Sequence, residues 1–139
     1  METIPLKNDV FEPNVTQWGS YDTSEFPKVK VKLTGKIESQ ESFNHFIEEW
    51  RNLYKMNKRF TLHFDATDVG MVSMKYAFQM RRFVRELKSD HPKLLEKSFI
   101  KTDSKWVRFL LGMIFLFEKP VAPVYVTNVC DNGVKTYYP

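Results

Sequence analysis

The chain is poor in cysteine and in glycine, with one of the first and five of the second among 139 residues. Cys130 has no partner in the chain, which excludes a disulfide scaffold, and a thiol beside a turn is expected to be an ordinary one on an edge strand. One cysteine with the scattered His45, His63 and His91 also lacks the ligand spacing of a zinc site. The glycines form no Walker A loop and no Gly-x-Gly-x-x-Gly turn, and no Gly-x-Ser-x-Gly elbow occurs. Nucleotide cradling and serine hydrolysis therefore lack their usual backbone devices, and no cofactor is expected. Long apolar runs are missing too. The longest, Trp106 to Phe117, is broken by Arg108 and Gly112 and is too short for a bilayer, which takes about 20 residues. Met1 to Asp9 lacks the apolar stretch of a secretory signal. A soluble, cytoplasmic protein is expected, and Asn14-Val15-Thr16 is then a chance match to the glycosylation triplet.

Aromatic side chains are what the chain has in excess: twelve Phe, six Tyr and three Trp. They argue against wholesale disorder and require a dense core or an apolar surface for a partner. The length suits a single domain. Residues 1–27 read as a partly irregular N-terminal arm, punctuated by Pro5, Pro13, Gly19 and Pro27, with one short edge strand. Residues 28–139 carry the regular pattern. Val29, Val31 and Leu33 alternate with three lysines, the mark of a strand with one wet face, and Thr34-Gly35-Lys36 turns the chain.

Ser39 is placed to cap a helix whose apolar positions are Phe43, Phe46, Ile47, Trp50, Leu53 and Tyr54. Phe60 to Asp65 reads as a strand, and Ser73 caps a helix running to about Lys88. Asp90-His91-Pro92 ends that helix, and Leu94 and Leu95 suggest one further helical turn. Ser98 to Lys101 is a short strand, and Asp103 or Ser104 starts an apolar helix through Phe117. Val121 to Cys130 reads as a strand whose start Pro123 pushes toward an edge, and Asp131-Asn132-Gly133 returns the chain along Val134 to Tyr138. Strand and helix alternate. An α/β layered domain follows, with a mostly parallel sheet, helices packed on it and antiparallel edge strands.

For catalysis the best candidates are Asp65 and Asp68, two oxygen donors at a strand's carboxyl end that could hold Mg²⁺. The plainer alternative has Asp65 bonding loop amides and Asp68 in water. His63 is expected to be a satisfied core histidine on a strand covered on both sides. From Lys75 to Arg108 ten basic residues face Glu86, Asp90, Glu96 and Asp103, giving that segment a charge of +6 within a chain of +4. Arg81, Arg82, Arg85 and Lys88 lie on the polar side of one helix, a candidate anion site for phosphates or lipid headgroups. No recognised nucleic-acid module is visible, and nucleic acid is not the expected partner.

The helix from Lys105 to Lys119 is apolar nearly all round. Such a helix is central in a core, docks on a partner or a second copy, or meets lipid. Its candidate contact residues are Trp106, Phe109, Leu110, Phe115 and Leu116. Phe11 and Trp18 of the arm are the alternative cover.

Phe60 to Val126 resembles the SpoIIAA-like superfold shared by STAS and CRAL-TRIO domains. The likeness rests on the strand ending in Asp65 before a helix, on His91-Pro92-Lys93-Leu94-Leu95 before a strand, and on the apolar helix ending Phe117-Glu118-Lys119-Pro120. It implies a STAS/CRAL-TRIO-like α/β fold and, from the second family, lipid binding with that helix as the gate. Ser73 and Met74 stand where sigma-factor regulators of the STAS family carry Asp-Ser, so their phosphoswitch is not implied. Trp50 to Tyr54 and Pro120 to Tyr125 are also similar to small proteins of large DNA viruses and unicellular eukaryotes, a likeness that names no activity. The expectation is a non-catalytic interaction or assembly module using the apolar helix and the adjacent basic face. Lipid or membrane-surface binding is the first alternative, and a metal-assisted enzyme at Asp65 and Asp68 the second.

Overall fold

In the computed structural model, residues 19–33, 39–130 and 133–139 are described. The arm up to residue 18, the turn at 34–36, and Asp131 and Asn132 of the hairpin lie outside them. Six strands form one sheet: β1 (Gly19–Asp22), β2 (Lys28–Leu33), β3 (Phe60–Asp65), β4 (Leu95–Lys101), β5 (Val124–Thr127) and β6 (Val134–Tyr138). Helix α1 (Gln40–Leu53) joins β2 to β3, α2 (Met74–Asp90) joins β3 to β4, and α3 (Lys105–Phe117) joins β4 to β5. The sheet is mixed, with β2 to β5 parallel and both edges antiparallel.

The strands lie in their chain order, β1 to β6. Right-handed crossovers that always step the same way put every helix on one face of the sheet. The burial patterns agree. In β3, Phe60, Leu62 and Phe64 are buried while Thr61, His63 and Asp65 are not, and β2 buries Val29 and Val31 while its three lysines stay exposed. Phe46 and Trp50 of α1 meet Phe64 of β3 in the core, Phe83 of α2 packs edge-on against Trp50, and Leu110 and Ile114 of α3 belong to the same cluster. Among the described residues eight aromatic side chains are buried in this core.

All three helices are capped by serine hydroxyls. Ser39 accepts from the Ser42 amide, Ser73 from that of Lys75 and Ser104 from that of Val107, each satisfying a donor that the first turn leaves open. Two elements differ from the sequence expectation. No helical turn forms at Leu94 and Leu95, because the Phe60 amide donates to the Leu94 carbonyl at 3.0 Å and Leu95 pairs with Phe60, which extends β4 upstream. The strand expected over Val121 to Cys130 is only Val124–Thr127, and it pairs with β4 and β6, the hairpin strand β6 forming the antiparallel edge as expected. Pro123 stands just before the ladder, where its missing N–H costs nothing and its carbonyl accepts from Ser98. Among the described residues no helix is long and apolar enough to cross a membrane.

Candidate functional site

Helix α3 is anchored at its first turn. The Arg108 guanidinium donates to the Thr102 carbonyl at 3.2 Å and to the Asn128 side chain, tying the helix to the ends of β4 and β5. The Trp106 indole N–H donates to the Val72 carbonyl at 2.9 Å, and its ring stacks on Phe109 with centroids 5.4 Å apart. Leu110 and Ile114 are buried on the sheet side, and Phe115 packs against Tyr138 of β6 at 4.9 Å. The described residues leave the outer side open: Phe109 is 48% exposed, Leu116 74% and Phe117 60%. On the neighbouring α2, Phe78 is 42% exposed. The Arg81 guanidinium lies 5.2 Å from the Phe78 ring and 4.9 Å from that of Phe117, linking the two helices across the surface.

Five residues of α3 were candidates for contact, and the helix divides them. Phe109 and Leu116 stand on the open side, Trp106 and Phe115 are half-buried and engaged within the fold, and Leu110 is in the core. Phe78 and Phe117 belong to the same surface and were not among the five. Their signal was present in the sequence as an apolar residue on the basic side of α2 and the last residue of α3.

The four basic residues of α2 also part company. Arg85 donates to Glu118 at 3.0 Å and Lys88 pairs with the same carboxylate, so both hold the C-terminal cap of α3. Those two cations, Lys88 first, keep the Glu118 carboxyl below its usual pKa. Arg81 lies over the rings. Arg82 stands exposed at a groove between α1 and α2, with Glu86 and Asp90 beside it.

Beneath α3 a cavity of about 160 Å³ separates α2, α3 and the sheet. Its wall is almost wholly apolar and includes Trp50, Phe64, Met80, Leu111, Ile114 and Phe115. A pocket this apolar and of this volume has room for one small apolar molecule.

Asp65 and Asp68 do converge, on the ammonium of Lys32 at 3.4 and 3.1 Å. One Asp65 oxygen accepts from the Thr67 hydroxyl and amide, and these bonds, the hydroxyl foremost, lower its pKa. Among the described residues no three His, Cys, Asp or Glu side chains come together as metal ligands. Strands in unbroken order also have no reversal point, the place where open α/β sheets form a ligand crevice. His63 is not in the core as expected. Among the described residues its strand is covered on one side only, and the ring lies half-exposed on the open face, 3.1 Å from the Thr61 hydroxyl. Cys130 is exposed in the loop after β5 rather than on a strand.

Comparison of the chain with family models, curated proteins and solved structures finds no match.

Proposed function

We propose that the protein is a non-catalytic assembly module of STAS/CRAL-TRIO-like architecture that docks a second copy of itself on the α2–α3 face. The observation that carries this is the set of four large apolar side chains, Phe78, Phe109, Leu116 and Phe117, exposed together on adjacent helices. Contiguous apolar surface of this kind marks a contact site, and the commonest closed arrangement of identical chains is a two-fold dimer. Arg81, already over two rings, supplies the cation that an aromatic contact surface favours. The basic residues support an anionic partner less, since Arg85 and Lys88 are engaged with Glu118.

Self-association stabilises the folded chain by mass action, so its Tm rises with protein concentration. The rise is expected in the wild type and lost in a Phe109→Ser, Leu116→Asp variant that keeps a cooperative transition. A Tm independent of concentration in both proteins contradicts self-association. The cavity beneath α3 favours a second function, binding of a small apolar molecule or the end of an acyl chain with α3 as the lid. Solvent extraction of the purified protein, followed by mass spectrometry, tests it: no extractable apolar compound, and no Tm shift with benzene-sized hydrocarbons, counts against it.

A further inference from the structure

The face of the sheet opposite the helices carries a separate surface. Register places Lys30, His63, Phe99, Tyr125 and Tyr137 opposite one another on successive strands, a single rung across the sheet. Its rings overlap in sequence. His63 and Phe99 lie 4.8 Å apart, Phe99 and Tyr125 5.2 Å, and Tyr125 and Tyr137 5.0 Å, with the first two pairs tilted by 20°. At these separations the rings face one another with an offset, and all four residues stay partly exposed. Lysines border the row on both sides. Lys28 and Lys97 flank Thr61 one rung away, and Lys32 and Lys101 flank Asp65 on the other side. The pleat sets these borders roughly 6.6 Å from the ring row. Among the described residues no helix or loop covers this face.

We propose that this face binds single-stranded nucleic acid, its phosphates on Lys28, Lys97 and Lys101 and its bases over the row from His63 to Tyr137. Charge selects the occupant. Asp65 stands within one border and Asp22 lies opposite Lys30, while Lys28, Lys97 and Lys101 form no ion pair among the described residues and are left for a phosphate chain. Lys30 and Lys32 already pair with exposed carboxylates, Glu25 for the first and Asp65 and Asp68 for the second, and such pairs are weak enough to exchange for phosphate. Lys97 lies 6.0 Å from the Phe99 ring, so cation and ring meet a ligand together. Partial burial and the neighbouring Lys28, Lys30 and Lys97 lower the His63 pKa, which keeps the ring neutral for stacking near pH 7. The centre of the face has no aliphatic or Trp side chain to enter a bilayer, which sets it apart from membrane-surface helices. Bases stacking on rings between basic borders are how single strands are held without sequence preference.

The test is fluorescence anisotropy of labelled mixed-sequence DNA and RNA single strands of about 15 nucleotides, titrated with the full chain. Three phosphate contacts predict saturable binding that weakens about 20-fold between 50 and 200 mM salt. The triple variant Lys28→Ala, Lys97→Ala, Lys101→Ala is expected to flatten that salt dependence. Phe99→Leu with Tyr125→Leu keeps apolar bulk while removing two rings, and is expected to weaken single-strand binding about tenfold. Tm measurements on both variants verify folding. Absence of saturable binding at 50 mM salt overturns the proposal. Duplex bound as tightly as single strand, with the ring variant indifferent, also overturns it, since only counter-ion attraction then remains. Lysine-dependent binding of phosphatidylserine vesicles without oligonucleotide binding overturns it in favour of a membrane surface.

Discussion

Leu110 and Leu116 sit six residues apart on one helix and meet opposite environments, 7% and 74% exposed. Truncation separates them. Leu110→Ala removes buried methyl groups beside an existing cavity and is expected to cost about 2–5 kcal/mol. Leu116→Ala is expected to stay within about 0.5 kcal/mol. Urea unfolding of both variants measures the difference, and equal losses would place Leu116 inside. Their fates were not legible in the sequence, because the helix is apolar nearly all round and its one semi-polar stripe, Arg108, Gly112, Phe115 and Lys119, includes two residues that the fold engages rather than leaves to water. The same scale settles how Asp65 and Asp68 are held. Lys32 already supplies the cation between them, so millimolar Mg²⁺ is expected to leave Tm unchanged. A rise in Tm with Mg²⁺ would mean that the metal displaces the ammonium. Nothing in Asp-x-x-Asp announces Lys32, which comes from another strand through parallel pairing.

At the scale of the element, helices were the legible part. Ser39, Ser73 and Ser104 cap where the spacing of apolar residues behind them predicts, and α1 and α2 each bury the face that their periodicity marked. What joins one helix to another was not readable. Arg51 of α1 makes two parallel bonds to Glu86 of α2, at 2.7 and 2.8 Å, and His91 meets the same carboxylate at 3.1 Å. The Arg51 hydrogen bonds are the main reason that the Glu86 carboxyl is held below its ordinary 4.5. With both partners partly in water, Glu86→Gln is expected to cost about 1 kcal/mol. A depressed acid contributes stability above its unfolded pKa and loses it as pH falls through the folded one. The gap between wild type and Glu86→Gln should therefore be full at pH 7 and close at more acid pH. A gap that persists in acid would assign the loss to packing rather than charge.

For the whole molecule, alternation of strands and helices was enough to predict a layered α/β fold with antiparallel edges, and that is the architecture found. The order of strands was not. Period-2 patterns tell which residues share a face of a strand, but not whether anything lies over that face, and His63 was misplaced for that reason. Unbroken strand order leaves one side to the helices and the other to a row of rings between lysines, which no sequential motif spells out because its members come from five strands. Two surfaces of different chemistry result, an apolar helical one and a basic aromatic one. The first bears the central claim, and the mass of the particle in solution tests it most directly. Light scattering across a range of protein concentrations should show wild type moving from monomer to dimer, with the Phe109→Ser, Leu116→Asp variant fixed as monomer. A wild type that stays monomeric at every concentration, or a variant that dimerises equally well, would contradict it.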